Sequence, residues 1–204
     1  MSLRKVLLAT KNPGKVEEMR RLLEVYGIYV ELPERDIEVE ESGSSFLENA
    51  YLKAQAYHRE YLMPVLADDS GLVIPSIDGY PGVFSSRFYQ HEYGGKEEVV
   101  SDKDEANIRK VLRLMKGKQD RSAKFVAFLV LSFGDAGYWA KGECIGKILE
   151  EPRGSGGFGY DPIFQPEGSD KSMAELKPEE KDAISHRGRA VRNLVSIIKS
   201  GGML

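Results

Sequence analysis

Short apolar runs alternate along this chain with segments whose apolar residues recur every three to four positions, the spacing of one helix face. Leu3 to Ala9 reads as a buried strand. Val16, Met19, Leu22, Leu23 and Tyr26 then mark a helix, with Asn12 as N-cap, Pro13 at the first helical position and Gly27 as a stop. Ile28 to Leu32 predicts a second strand. Ser45-Phe46-Leu47-Glu48 has the capping-box pattern, opening a helix with Leu47, Tyr51, Ala54 and Tyr61 near one face. Val65-Leu66-Ala67 predicts a short buried strand that ends at Asp68-Asp69-Ser70-Gly71, before a further strand at Leu72-Val73-Ile74. Pro81 to Phe88 reads as a turn into a helical segment, and Tyr89 to Lys103 as a mobile loop or an added lobe. Ile108, Val111, Leu112 and Met115 give a helix that stops near Gly117. Ala123 to Phe133, the turn Gly134 to Gly137 and Tyr138 to Ile148 predict a hairpin. The last helix carries Ala190, Val191, Leu194, Val195 and Ile198 behind Ser185 as its N-cap.

Composition changes this picture mainly by exclusion. With 204 residues the chain suffices for one large or bilobed domain with a full core. Apolar residues at 41% and charged residues at 30% are those of an ordinary soluble protein. The net charge is −3 and no Lys/Arg run stands out, so no nucleic-acid face is expected. Cys144 is the one cysteine, so there is no internal disulfide and no multi-cysteine metal site; a reducing cytoplasm fits. The run Val6 to Ala9 is too short for a signal peptide or a membrane span.

Four stretches then offer chemistry. Gly154-Ser155-Gly156-Gly157-Phe158-Gly159-Tyr160-Asp161-Pro162 cannot be a good helix or an ordinary strand, because each glycine costs backbone entropy in either. Flat rings on such a backbone beside a carboxylate suit a flat heteroaromatic ligand; an anchored structural loop explains the same residues. Thr10-Lys11-Asn12-Pro13-Gly14-Lys15 is a strand-to-helix turn that presents the positive helix end, which binds phosphate readily. It is not a Walker A loop, and capping with a solvated Lys15 is the plainer alternative. Asp68 and Asp69 point to opposite sides of a strand, so one can face a site while the other supports it. Oxygen ligands of this kind suit Mg²⁺, although an Asx turn uses the same residues. Glu38, Glu40 and Glu41 lie in an acidic loop, and Lys53 by default is a solvated helix lysine. His186 and Arg187 sit on a first helical turn, where the dipole disfavours cations; an anionic or carbonyl partner, or a local glutamate, would offset that.

Six motifs occur in order: Thr10-x-Asn12-x-x-Lys15, Phe46-x-Glu48-Asn49-Ala50-x-x-Lys53-Ala54, Ala67-Asp68-Asp69-Ser70-Gly71-Leu72, Pro81-Gly82-x-x-Ser85-x-Arg87, Gly156-Gly157-Phe158-Gly159-Tyr160-Asp161-Pro162 and Ser185-His186-Arg187. In this the chain resembles the inosine triphosphate pyrophosphatase family from Leu3 to about Ile198. The resemblance implies a two-lobed α/β fold with a long central mixed sheet flanked by helices and a cleft between the lobes. It implies hydrolysis of ITP, dITP and XTP to the monophosphate and pyrophosphate, with Mg²⁺, in a family whose members are usually homodimers. By the same resemblance Thr10, Asn12 and Lys15 hold the phosphates, with Lys53 assisting, and Lys11, Pro13, Gly14 and Ser70 belong to the substrate-binding set. Glu41 and Asp69 hold Mg²⁺, with Asp69 also the base. Phe158 stacks on the purine beside Gly159, Tyr160 and Asp161, and Lys181, His186 and Arg187 read the base edge. A nucleotide sensor without hydrolysis, and a pyrophosphatase for modified pyrimidine nucleotides, are the alternatives.

Overall fold

A strand that is apolar on both faces needs partners on both edges, and Leu7, Leu8 and Ala9 are buried on both. In the computed structural model, which describes residues 3–35 and 37–204, β1 (Lys5–Ala9) pairs in parallel with β2 (Tyr29–Glu31) and with β3 (Val65–Val73). The strand order is β2-β1-β3-β4-β5-β6, with β4 at Ser122–Ser132, β5 at Gly137–Ile148 and β6 at Phe164–Pro166. β6 runs antiparallel to β5, so the sheet is mixed. Helices α1 (Pro13–Glu24), α2 (Phe46–Tyr61), α3 (Lys103–Leu114), α4 (Pro178–Ile184) and α5 (His186–Ser200) complete the α/β class expected. The turn between β4 and β5 is closed by Phe133 N donating to Ala136 O at 2.8 Å.

The chain divides into two compact units. The first contains the chain up to Asp69, Ala127–Glu143 and Asp182–Leu204. Its larger core joins Leu8, Met19 and Leu23 to Leu129, Val191 and Leu194. The second unit contains Ser70–Val126 and Cys144–Lys181, with Leu72, Ile74, Phe88, Val111, Phe125 and Phe164 in its core. Burying one such side chain fully contributes about 1.5–3 kcal/mol.

The helix starts follow local chemistry. Asn12 Oδ1 accepts Lys15 N at 3.0 Å, and Pro13 follows at the first helical position, where no N–H is required. Ser185 Oγ accepts Gly188 N at 3.0 Å at the head of α5. At α2, Ser45 Oγ accepts Glu48 N at 3.2 Å, but the Glu48 carboxylate reaches past Ser45 to Ser44, taking its N–H at 2.7 Å and its hydroxyl at 2.8 Å.

Two expectations are corrected. The strand does not end at Asp68: β3 runs unbroken from Val65 to Val73, carrying both aspartates in its middle. Burial of carboxylates inside a strand is tolerated here because each has a cation beside it. The inward face of α2 is Asn49, Ala50, Ala54 and Tyr57, and Tyr51 is 54% exposed. Ala50 and Ala54 pack against Leu7, Ala9 and Ala67 in one cluster, and Tyr51 lies off that line.

Gly71 in β3 is fixed by close approach. A Cβ there would overlap Ser85 Oγ and lie 2.6 Å from Gly82 O. Ser85 Oγ itself donates to Gly82 O at 2.6 Å and accepts Leu72 N at 3.0 Å, so it cannot simply move aside. Gly71→Ala is therefore expected to cost about 2–3 kcal/mol by overpacking. That is a fall of about 5–10 °C in Tm. An unchanged Tm by calorimetry would contradict this packing.

Candidate active site

The first unit gathers charge around β3. The Thr10 to Asn12 turn carries the chain from β1 into α1, with Thr10 Oγ1 accepting Asn12 N at 3.3 Å. Lys15, one turn into α1, places Nζ 2.6 Å from Asp68 Oδ2. Arg187, on the first turn of α5, places Nε 3.4 Å from the same Asp68 oxygen and donates from Nη1 to Glu18 Oε2 at 2.9 Å. Asp68, Glu18 and Arg187 are all buried. Burial alone would raise the Asp68 carboxyl, but the Lys15 ammonium and the Arg187 guanidinium outweigh it and hold the group well below the usual carboxylate range. Asp68 is thus a fixed anion. The cation that opposes the α5 dipole has its offsetting anions in Glu18 and Asp68.

Asp69 faces the other way, as strand alternation requires. Lys53 Nζ lies 3.3 Å from Asp69 Oδ1 and 3.0 Å from Glu41 Oε1, and donates to Asp68 O at 2.8 Å. Burial pushes the Lys53 ammonium down, but Asp69, Glu41 and Asp68 together raise it above its ordinary value. Burial pushes Asp69 up, against the pull of Lys53 and Lys15. The loop that brings Glu41 here is tied to α2 by Gly43 N donating to Asn49 Oδ1 at 2.9 Å.

These residues fit a divalent cation. Asp69 Oδ2 is buried and has no hydrogen-bond partner among the described residues. Glu41 and Asp69 are hard oxygen donors that converge on one lysine ammonium, so the place already holds a positive charge. Among the described residues no group of three or more His, Cys, Asp or Glu side chains gathers as a metal site. Two carboxylates with the remaining positions left to water and phosphate is the pattern Mg²⁺ takes at nucleotide sites.

The second unit holds the glycine-rich loop. Asp161 Oδ2 accepts Phe158 N at 3.0 Å and Lys181 Nζ at 2.6 Å, and Lys181 Nζ lies 5.0 Å from the centre of the half-buried Phe158 ring. Gly157 has φ +72°, and a Cβ there would overlap Asp161 Oδ2, so this turn needs glycine. Tyr160 Oη donates to Ser85 O at 2.7 Å, and burial raises its hydroxyl well above the ordinary tyrosine value.

Lys15, Arg187, Lys53, Glu41 and Asp69, all singled out in the sequence, are thus brought together by the first unit around Asp68. His186 is buried beside Arg187 on the first turn of α5. Lys11, Asn12 and Pro13 are exposed at the head of α1, with Gly14 half-buried. Phe158, Gly159, Tyr160, Asp161 and Lys181 are brought together by the second unit, and Ser70 follows Asp69 on β3. Residue-by-residue reasoning missed Glu18, whose signal was its place three residues after Lys15 on the inward side of α1. It also missed Ser85, which had a motif but no role, and Asp104, which had no signal.

The match to known proteins covers nearly the whole chain: residues 6–197 fit the profile of the Ham1 family. The chain belongs to the Ham1 family. Among its relatives, the dITP/XTP pyrophosphatase of Aquifex aeolicus (strain VF5) is 59% identical over 96% of this chain and 97% of its own length. The dITP/XTP pyrophosphatase of Bacillus subtilis (strain 168) is 43% identical over 97% and 98%. The solved Ham1 protein of Staphylococcus aureus superposes on this Ham1 chain with TM-score 0.80 at 35% identity, covering 97% of it and 99% of the solved chain.

Proposed function

We propose that this chain hydrolyses noncanonical purine nucleoside triphosphates, dITP, ITP and XTP, to the monophosphate and pyrophosphate, clearing them from the nucleotide pool. The observation that carries the proposal is the charged cluster on β3, with Asp69 Oδ2 buried and lacking a partner among the described residues, in a chain 59% identical to a dITP/XTP pyrophosphatase.

Each residue then has a part. Lys15 and the head of α1, from Thr10 through Lys11, Asn12, Pro13 and Gly14, hold phosphate oxygens by charge and by backbone donors. Lys53 and Ser70 assist. Glu41 and Asp69 would hold Mg²⁺, which when bound neutralises phosphate charge and lowers the pKa of water. Water has a pKa near 15.7 and a free aspartate one near 3.9, so Asp69 positions the attacking water and takes up its proton rather than deprotonating it unaided. Lys15 and Lys53 stabilise the charge that develops as pyrophosphate leaves.

Phe158 stacks on the purine, with Gly159, Tyr160 and Asp161 shaping the loop. Lys181, His186 and Arg187 read the base edge. A guanidinium has five N–H donors, so pairing of Arg187 with two carboxylates is compatible with a further partner. Hypoxanthine and xanthine present a 6-keto acceptor where adenine has an amino donor. A buried donor left opposed costs about 1–3 kcal/mol, or roughly tenfold to hundredfold discrimination. Initial rates with dITP, XTP, dATP, dGTP and dTTP test this: kcat/KM for dITP and XTP should exceed that for dATP at least tenfold. Equal values across the panel would overturn the base assignment.

No helix among the described residues is long and apolar enough to cross a membrane. The family resemblance supports a homodimer acting on free nucleotides, and the single cysteine and the net charge of −3 support a cytoplasmic protein without a nucleic-acid partner. Sedimentation at the mass of a single chain would end the dimer assignment.

A further inference from the structure

We infer that Asp104 is a positioning residue for the purine: its carboxylate fixes the glycine-rich loop on the far side of Phe158 and so sets the ring that stacks on the base. This rests on the assignment of Phe158 to the purine made above.

Phe158 lies between two left-handed glycines, Gly157 at φ +72° and Gly159 at φ +60°. A ring carried between two such turns keeps one orientation only if the amides on both sides are held. The N-terminal side is held by Asp161, which accepts Phe158 N at 3.0 Å. The C-terminal side is held from outside the loop: Asp104 Oδ2 accepts Gly159 N at 2.7 Å. A Cβ on Gly159 would meet nothing within 4 Å, so this glycine serves the turn and not a close contact.

Asp104 is not needed as a cap. Asp102 caps α3, its Oδ1 accepting Glu105 N at 2.8 Å. Asp104 stands in the first turn and spends its oxygen on the loop instead. The helix it stands on is itself tied down. Asn107 Oδ1 accepts Tyr89 N at 2.7 Å, and the buried Lys110 donates to Phe88 O at 2.8 Å, both on the 3₁₀ segment Gly82–Gln90. That segment carries Ser85, whose carbonyl accepts the Tyr160 hydroxyl. α3 therefore grips the loop twice, directly at Gly159 and through Ser85 at Tyr160. Asp161 cannot be removed without also releasing Lys181, whereas Asp104 touches the loop at one amide, which makes it the clean probe.

A first-turn aspartate also favours a helix through its charge alone. D104N removes the charge and keeps an acceptor oxygen of the same reach; D104A removes both. The test is steady-state kinetics on the Mg²⁺-supplied full chain with dITP, for wild type, D104A, D104N and F158A, with Tm measured alongside. D104A should raise KM about fivefold to tenfold with kcat within twofold, as loss of one hydrogen bond used in binding predicts. D104N should restore KM to within twofold of wild type. A KM for D104A within twofold of wild type, an equal rise in D104N, or a fall in kcat at constant KM would each overturn the inference. If F158A raises KM while D104A does not, the positioning role fails and the purine assignment stands; if F158A leaves KM unchanged, the purine assignment itself fails. Should D104A not accumulate as folded protein, D104S, whose hydroxyl is too short to reach Gly159, is read in the same way.

Discussion

Asp69→Asn is expected to cut turnover of dITP at least a hundredfold while the fold survives. The amide keeps the shape of the side chain but cannot take up a proton and carries no charge for a cation. General-base assistance alone contributes about a hundredfold to ten-thousandfold. Stability should change little, because Lys53 retains Glu41 Oε1 at 3.0 Å and Asp68 O at 2.8 Å when Asp69 loses its charge. Rates under saturating dITP, with Tm as the fold check, decide it. Near-normal turnover would sink the role of Asp69. A wild-type protein that binds dITP without turnover, with affinity unchanged in Asp69→Asn, would point to a sensor.

The largest stability effect is expected at Arg187. Its guanidinium joins two buried carboxylates, Glu18 at 2.9 Å and Asp68 at 3.4 Å, from three separate parts of the first unit: α1, β3 and α5. Removing one partner of a buried ion pair costs about 3–5 kcal/mol, because the remaining charge stays desolvated. Arg187→Met should therefore lower Tm by roughly 10 °C. The cost should shrink when Glu18→Gln is added, since one of the two stranded charges is then gone. Urea titration of the two single variants and the double variant gives the coupling, expected to exceed about 1 kcal/mol. Additive effects would mean that the pair does not hold α1 to α5.

The elements themselves were largely legible in the sequence. Asn12 and Ser185 cap the helices they were expected to cap, and the β4–β5 turn falls at Gly134. Local signals suffice there, because caps and turns are settled by a few neighbouring residues. What escaped depends on distant partners. Aspartates inside a strand look like its end until Lys15, Arg187 and Lys53 arrive from α1, α5 and α2 to neutralise them. Lys53 reads as a solvated helix lysine for the same reason, yet its side chain is 12% exposed. Of the charged cluster, the six motifs contain Lys15, Lys53, Asp68, Asp69 and Arg187 but not Glu18 or Glu41, and they do not give the pairing. That Asp68 is the anion clamped by Lys15 and Arg187, while Asp69 shares Lys53 with Glu41, follows only once all three cations are placed. Asp104 lies outside every motif, and only its bond to Gly159 reveals it.

The most direct measurement is the identity of the products formed from dITP and Mg²⁺ by the purified chain, followed by ³¹P NMR. Deoxyinosine monophosphate with one equivalent of pyrophosphate is the expected result, placing cleavage between the α and β phosphates. Deoxyinosine diphosphate with orthophosphate would put attack at the γ phosphate and contradict both the assigned reaction and the phosphate-holding roles of Lys15 and Lys53.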